Sequence, residues 1–263
     1  MHSRIPSLDF ARLEKDGFLV LPGLVRPEEL AAFERDITLA GERLAVARKV
    51  VRRSSEAIAD VLKESGKHRS MLFDHIKRLL VLERLSAEIG GALEEAGLFA
   101  HAGLEVPVVW PTLRGDVPDE SKYFLQLHQD FMTTRSQLAW RLWVPLRDAD
   151  SFYGTMEVLP GSHRAGPYNY VSDELNAPSI PRSELDRLGL ETSTLEIQAG
   201  TGVLFDPRLV HGSVANRSSR TKWVLLIHVQ DLARFVNPQD EADPLMPFLK
   251  LSEWFVSPGP QSK

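Results

Sequence analysis

The chain has 263 residues, of which 43% are apolar and 25% are charged. This composition is typical of a globular protein and excludes a collagenous, coiled-coil or disordered chain. Its 31 basic and 36 acidic residues give a formal net charge of −5, so we expect neither nucleic acid nor an anionic membrane as a partner. The absence of cysteine excludes disulfides, zinc fingers, iron–sulfur clusters and cysteine nucleophiles, so any metal must be held by His, Asp or Glu.

The sequence shows no sign of export or membrane insertion. Its first ten residues lack the apolar core of a signal peptide. None of its apolar runs reaches the roughly 18 residues that a membrane-spanning helix needs. We therefore expect a cytoplasmic protein without nucleic acid or membrane as a partner. The sequence gives no indication of the oligomeric state.

In chain order, the first predicted element is a short strand. Phe18–Leu21 is an apolar, partly β-branched run that ends at Pro22 and Gly23, and a helix is expected to begin near Pro27. Most of the first hundred residues are predicted to be helical, because apolar positions recur every three to four residues. This spacing is found in three segments, Glu28–Leu39, Leu44–Leu62 and Lys77–Glu95.

From Val106 onward the pattern changes to short apolar runs closed by Gly, Pro, Asn or Asp. These runs predict strands at Val108–Trp110, Tyr123–Leu127, Leu138–Leu146, Met156–Leu159, Thr192–Ile197, Gly202–Phe205 and Trp223–Val229. Several short strands with frequent turns indicate a sandwich or barrel rather than alternating βαβ units. The polar stretch Ala165–Glu184 contains three prolines and is predicted to be a loop insertion, which either covers a site or is a passive surface excursion.

Two short motifs carry the residues with metal chemistry. His128 and Asp130 follow the predicted strand Tyr123–Leu127, and residues two apart on a strand point to the same face. A third residue, His211, stands in the sequence Leu-Val-His-Gly-Ser. Two imidazoles and one carboxylate, with coordination positions left open, are the ligands of the facial triad of non-haem Fe(II) oxygenases. The alternative for each histidine by itself is a structural role.

Four motifs follow one another along the chain. They lie at residues 16–24 (Asp-Gly-Phe-Leu-Val-Leu-Pro-Gly-Leu), 128–130 (His-Gln-Asp), 156–163 (Met-Glu-Val-Leu-Pro-Gly-Ser-His) and 200–213 (ending in Val-His-Gly-Ser). Together they resemble the phytanoyl-CoA dioxygenase family of Fe(II)/2-oxoglutarate-dependent oxygenases. The resemblance extends from about Asp16 to Asp231, and the order of the four motifs makes it specific.

The resemblance implies a mainly β fold with flanking helices, in which a double-stranded β-helix (a jelly-roll, cupin-like core) follows an N-terminal helical region. It implies that His128, Asp130 and His211 bind Fe(II), with 2-oxoglutarate as cosubstrate and O2 as oxidant. The expected reaction is hydroxylation of an unactivated C–H bond in a natural-product intermediate, an amino-acid-like molecule or an acyl substrate, with release of succinate and CO2. Halogenating relatives lack the carboxylate, so Asp130 favours hydroxylation or a related oxidation.

A single oxygenase domain is expected over the whole chain, 1–263, since a β-rich domain of this length is common. Within it we expect helical support over about 1–105 and the jelly-roll core over about 106–235. A C-terminal extension is expected over about 236–263.

The cation that binds the distal carboxylate of 2-oxoglutarate has three candidates. The family usually places an Arg after the distal His, and an ungapped match puts Lys222 at that position. Arg220 has the same strand parity and would replace Lys222 if the turn were two residues shorter. Arg141 shares a strand face with Trp143. If that face lines the cavity, Arg141 is a buried cation that needs an anionic partner, either the cosubstrate or an acidic substrate. If that face points outward, Arg141 is a solvated strand residue. The alternative for Lys222 and Arg220 is a solvated position at the strand edge.

Aromatic residues near these motifs have two possible roles. Trp143 and Phe131 either shape the substrate pocket or pack in the core. His163, in the Pro-Gly-Ser-His turn, is predicted to be structural rather than a ligand. The rival to the whole interpretation is a non-catalytic jelly roll that binds a metal or ligand, because one scaffold hosts many functions. A hydrolase on a cupin-like scaffold is a third and weaker alternative.

Overall fold

The computed structural model of the chain describes residues 4–5, 7–64, 66–118, 125–130, 134, 136, 138–165, 168 and 179–234. The helices in these ranges are α1 (Phe10–Asp16), α2 (Pro27–Arg48), α3 (Ala57–Glu64), α4 (Gly66–Ile76), α5 (Leu80–Glu95), α6 (Leu98–Ala102) and α7 (Arg182–Asp186). The strands are β1 (Phe18–Leu21), β2 (Pro107–Asp116), β3 (Ala139–Pro145), β4 (Met156–Val158), β5 (Ser193–Thr194), β6 (Gly202–Phe205), β7 (His211–Ser213) and β8 (Lys222–Asp231). None of the helices in these ranges has both the length and the apolar character to span a bilayer.

The N-terminal region agrees with the prediction as far as the start of α2, but the predicted helix that follows is interrupted. Strand β1 has the predicted bounds, and α2 begins at Pro27, whose missing N–H costs nothing in the first helical turn. The predicted helix Leu44–Leu62 is wrong, because α2 ends at Arg48 and Lys49 takes a left-handed conformation with φ of 54°. Helix α4 was not predicted, whereas α5 matches the predicted Lys77–Glu95 apart from its first three residues.

The strands form two antiparallel sheets. The larger sheet has the order β1-β6-β3-β8-β2, and the smaller has the order β5-β4-β7. Six of the seven strands predicted after Val106 form, with β6 at its predicted bounds and the other five differing at their ends, whereas residues 125–127, the described part of the seventh, are not in a strand. Part of the predicted strand Tyr123–Leu127 and most of the predicted loop Ala165–Glu184 lie outside the described residues, as do residues 236–263.

The two faces of the larger sheet have different partners. On β8, Leu225, Ile227 and Val229 pack in a core shared with helices α2 to α5. Val224, on the opposite face, packs with Val158 of the smaller sheet. Because side chains alternate along a strand, the even-numbered residues of β8 face the space between the sheets. The candidate site lies in this space.

Candidate metal centre and cosubstrate site

His128 and His211 lie directly opposite each other on paired backbone segments. The N–H of each donates to the carbonyl of the other, at 2.8 and 2.9 Å. This reciprocal pairing brings the rings within 4.4 Å, centroid to centroid. The pairing continues at Asp130, whose N–H donates to the Pro207 carbonyl at 2.7 Å. Residues far apart in the sequence are thereby fixed on one face.

The donor atoms of the three residues converge. Nε2 of His128 lies 3.4 Å from Oδ1 of Asp130, and Nε2 of His211 lies 3.8 Å from the same oxygen. One ligand atom from each residue falls within 4.8 Å of the others, and no other such group of three or more is found in the described residues. Bonds from imidazole or carboxylate to a small divalent ion such as zinc are about 2.0–2.2 Å long, so two donors to one ion lie at most about 4.4 Å apart. The distances of 3.4 and 3.8 Å fall within this limit. The structure thus brings the three predicted ligands together.

Both histidines are held in the tautomer that metal binding needs. Nδ1 of His128 donates to the Gln126 carbonyl at 2.7 Å, and Nδ1 of His211 donates to the Leu209 carbonyl at 2.9 Å. A carbonyl oxygen only accepts, so Nδ1 of each ring carries a proton, and Nε2 is the nitrogen that faces the site. Carbonyls of the same segments therefore orient both rings.

Burial and charge set the protonation of the cluster. Burial lowers the pKa of His211 to about 4, with a further contribution from His128, so the His211 ring is neutral near pH 7. Burial by itself would raise the pKa of Asp130. The neighbouring His211, His128 and Arg141 groups nevertheless hold that pKa well below its usual range. A neutral imidazole and an ionised carboxylate are the forms that bind a metal.

The Pro-Gly-Ser-His turn supports the centre from behind. Ser162 Oγ accepts from the N–H of Val210, the residue before His211, at 2.8 Å. His163 lies on the other side of the turn, where its Nε2 donates to the Glu14 carbonyl at 3.0 Å. The structural role predicted for His163 agrees with this contact. Ser162 is a supporting residue that the sequence analysis missed, although the motif that contains it was recognised.

Lys222 is the first residue of β8 and faces the space between the sheets. Its side chain is 2% exposed, and Nζ lies 2.8 Å from Oδ2 of Asp116. Arg114 lies on the same face of β2, with Nε 2.6 Å from Oδ1 of Asp116. Burial lowers the pKa of Lys222, while Asp116 acts in the opposite direction. The sequence did not indicate Asp116, because its partner lies on a distant strand.

The other candidate residues occupy different environments. Arg220 precedes β8, so the shorter turn that would place it on the strand does not form. Its side chain is 54% exposed, with Nε 3.5 Å from Glu56. Trp143 is buried in the core between the sheets, in accord with the packing alternative. Phe131 lies outside the described residues.

Arg141 faces the space between the sheets, opposite His228 of β8. Its side chain is fully buried, and Nε lies 3.6 Å from Oδ2 of Asp130. A cavity of about 410 Å³ lies nearby, lined among others by Thr134, Ser136, Trp140 and Arg208. Thr134 links Arg141 to this cavity, because it lines the cavity and its hydroxyl accepts a hydrogen bond from Arg141 Nη2 at 2.5 Å.

Comparison with known proteins agrees with this geometry. The matching family is phytanoyl-CoA dioxygenase (PhyH), over residues 13–224. The chain belongs to the phytanoyl-CoA dioxygenase family. Ectoine dioxygenase of Nocardia farcinica is 25% identical over an alignment of 236 residues, and the match covers 81% of this chain and 73% of the relative. As a member of the phytanoyl-CoA dioxygenase family, the protein is an Fe(II)- and 2-oxoglutarate-dependent dioxygenase, which confirms the predicted enzyme class and cofactors.

Two solved structures share the fold of this phytanoyl-CoA dioxygenase family member. EctD from S. alaskensis, solved with 2-oxoglutarate and 5-hydroxyectoine, has a TM-score of 0.56 and 17% identity, covering 95% of this chain and 86% of EctD. The epimerase SnoN, solved with Fe3+, alpha ketoglutarate and nogalamycin RO, has a TM-score of 0.54 and 19% identity, covering 84% of this chain and 81% of SnoN. At these identities the likeness establishes the fold.

Proposed function

We propose that the protein hydroxylates an unactivated C–H bond of a small molecule, with release of succinate and CO2. The observation that carries the proposal is the convergence of Nε2 of His128, Nε2 of His211 and Oδ1 of Asp130. Three protein ligands of this type leave coordination positions open for other molecules. Fe(II) bound there supplies the oxidative decarboxylation of 2-oxoglutarate and the activation of O2.

Lys222 is the residue that we assign to the distal carboxylate of 2-oxoglutarate. It is buried on the inner face of β8, at the position where the family usually has an Arg. Its ammonium has three N–H donors, of which Asp116 occupies one. Arg141 is the less suitable candidate because its guanidinium faces the metal ligand Asp130. Arg220 is half-exposed beside Glu56, which favours the solvated alternative for that residue.

We assign part of the substrate, a small molecule, to the 410 Å³ cavity that Thr134 lines; the three proposed metal ligands are not among its lining residues. This volume lies within the usual range for sites that bind small ligands, about 300–1,000 Å³. Trp140 and Leu138 supply apolar wall, whereas Ser136 and Arg208 supply polar contacts. Arg208 is itself paired with Asp206, with Nη2 to Oδ2 at 2.6 Å. A substrate with both apolar and hydrogen-bonding groups fits this lining.

The architecture supports a finer assignment of the fold. We assign the two sheets to the two halves of a double-stranded β-helix, with residues 125–130 as the strand beside β7. The pairing of His128 with His211, and of Leu125 with Ser213, supports that strand. The helices share one core with the larger sheet, which supports a single domain.

The test is a screen of candidate small molecules for succinate release by the purified protein with Fe(II), 2-oxoglutarate and O2. Asp130→Ala, which removes one proposed ligand, is the matched control. Substrate-dependent succinate release by the wild type, and none by the variant, would support the function. Succinate release that Asp130→Ala leaves unchanged would contradict it. A protein that binds the metal but releases no succinate from 2-oxoglutarate, with or without a candidate substrate, would favour the non-catalytic jelly roll.

A further inference from the structure

The guanidinium of Arg141 makes contacts that the proposed function does not use. It is fully buried. Nη2 donates to Thr134 Oγ1 at 2.5 Å, and Nη1 donates to the Trp140 carbonyl at 3.4 Å. Nε makes no hydrogen bond to the described residues and lies 3.6 Å from Oδ2 of Asp130. A buried guanidinium needs an anionic partner, and here the nearest carboxylate is a proposed metal ligand.

The two carboxylate oxygens of Asp130 therefore have different neighbours. Oδ1 faces the Nε2 atoms of His128 and His211, at 3.4 and 3.8 Å. Oδ2 faces Arg141. A carboxylate can bind a divalent ion through one oxygen or through both, and a cation beside Oδ2 favours binding through Oδ1 alone.

Thr134 adds a second connection between Arg141 and Asp130. Its hydroxyl accepts from Arg141 and donates to the backbone carbonyl of Asp130 at 3.0 Å. Arg141 consequently reaches both ends of Asp130, the side chain through Nε and the main chain through Thr134. The three residues form one connected unit behind the metal centre.

We infer that Arg141 and Thr134 are positioning residues that hold Asp130 with only Oδ1 turned toward the metal, so that the neighbouring coordination position stays open. The inference rests on the proposed metal centre. Groups that orient a metal ligand from behind typically change metal affinity by about 10–100-fold when they are replaced. The positive charge of Arg141 repels a divalent cation, so repulsion alone predicts that its removal would strengthen metal binding. Weaker metal binding after removal of Arg141 would therefore show that its orientation of Asp130 has the larger effect.

The experiment uses anaerobic titration of the metal-free full chain with Co(II), whose visible spectrum reports coordination number and geometry. Thr134→Val keeps the size of the side chain and the charge of Arg141 but removes the hydroxyl. We expect this variant and Arg141→Met to bind Co(II) about 10–100-fold more weakly, with an altered visible spectrum. Thr134→Ser, which keeps the hydroxyl, should restore the affinity and the spectrum.

Arg69→Met is the matched control for Arg141→Met, because it also removes one buried arginine, which lies on α4 and donates to the Gly115 carbonyl. We expect it to leave Co(II) affinity and spectrum unchanged. If Arg141→Met does not fold, Thr134→Val decides the question by itself. Affinity and spectrum unchanged in a folded Thr134→Val variant would overturn the positioning role while leaving the metal centre intact. Failure of the wild type to bind Co(II) or Fe(II) would overturn the metal centre and the inference together.

Discussion

The ammonium of Lys222 lies 2.8 Å from Oδ2 of Asp116, where β2 and β8 are in register. This ion pair explains how a lysine is buried at the base of the space between the sheets. It also gives the position a fixed cation before any cosubstrate binds. A lysine acts on a carboxylate as a point charge, whereas an arginine binds it through two parallel hydrogen bonds.

Replacement of Lys222 by alanine should weaken the binding of 2-oxoglutarate. Loss of a desolvated charge partner costs about 2–5 kcal/mol, so the concentration of 2-oxoglutarate for half-maximal turnover should rise about 30-fold or more. Lys222→Arg should retain most of the affinity, since it keeps the charge. The measurement is steady-state succinate formation at varied 2-oxoglutarate.

Arg220→Ala is the control for this experiment, because Arg220 is a neighbouring cation with an exposed side chain. Its effect on 2-oxoglutarate affinity should stay below about 1 kcal/mol, which is less than about 5-fold. Small effects in both variants would show that the carboxylate binds elsewhere. A large effect at Arg220 would contradict the assignment of Lys222.

Asp116 should make stability depend on pH in the acid range. Burial raises the pKa of Asp116, but the charges of Arg114 and Lys222 outweigh burial and lower that pKa to about 2. The unfolded chain binds this proton near pH 3.8, so the stabilisation, about 2 kcal/mol, is present above pH 4 and disappears as the pH falls toward 2. Urea unfolding of the wild type and Asp116→Asn should therefore show a difference that shrinks between pH 4 and pH 2. A difference that is constant over this range would contradict the ion pair.

Gly17 should be far less tolerant of alanine than Gly23. Both have positive φ, at 84° and 66°, but a Cβ at Gly17 would lie 2.4 Å from Nδ1 of His163, whereas a Cβ at Gly23 has no heavy atom within 4 Å. We expect Gly23→Ala to lower the free energy of unfolding by about 1 kcal/mol and Gly17→Ala by about 3 kcal/mol or more. Equal losses in thermal or urea unfolding would show that the Asp-Gly-Phe and Pro-Gly-Ser-His motifs do not pack together as described.

The sequence predicted those helices and strands that depend on neighbouring residues in the chain. Strands β1 and β6 have their predicted bounds, since each is a short apolar run next to glycine or proline. The predicted helix Leu44–Leu62 failed because apolar spacing continues across Lys49, where the backbone turns into the left-handed region. Strand β7 has three residues with a central glycine, and it forms because β4 and residues 125–130 pair with its two sides.

The sequence predicted the ligands of the candidate site, but it did not predict which residues pair with Arg141 and Lys222. The three proposed ligands were identified from motifs, because short motifs preserve their spacing. An anionic partner for Arg141 was expected if its strand face lined the cavity, but the expected partner was the cosubstrate or an acidic substrate. That this partner is Asp130, and that Lys222 pairs with Asp116, depends on contacts between segments far apart in the sequence. No periodicity encodes such contacts.

The central claim is that one Fe(II) binds at His128, Asp130 and His211 with positions open to 2-oxoglutarate. The most direct measurement is the visible spectrum of an anaerobic mixture of protein, Fe(II) and 2-oxoglutarate. Chelation of the metal by the oxo acid should produce a weak metal-to-ligand charge-transfer band in the wild type, and the band should be lost in His211→Ala. Absence of the band in a wild-type protein that demonstrably binds Fe(II), or its persistence in His211→Ala, would contradict the account.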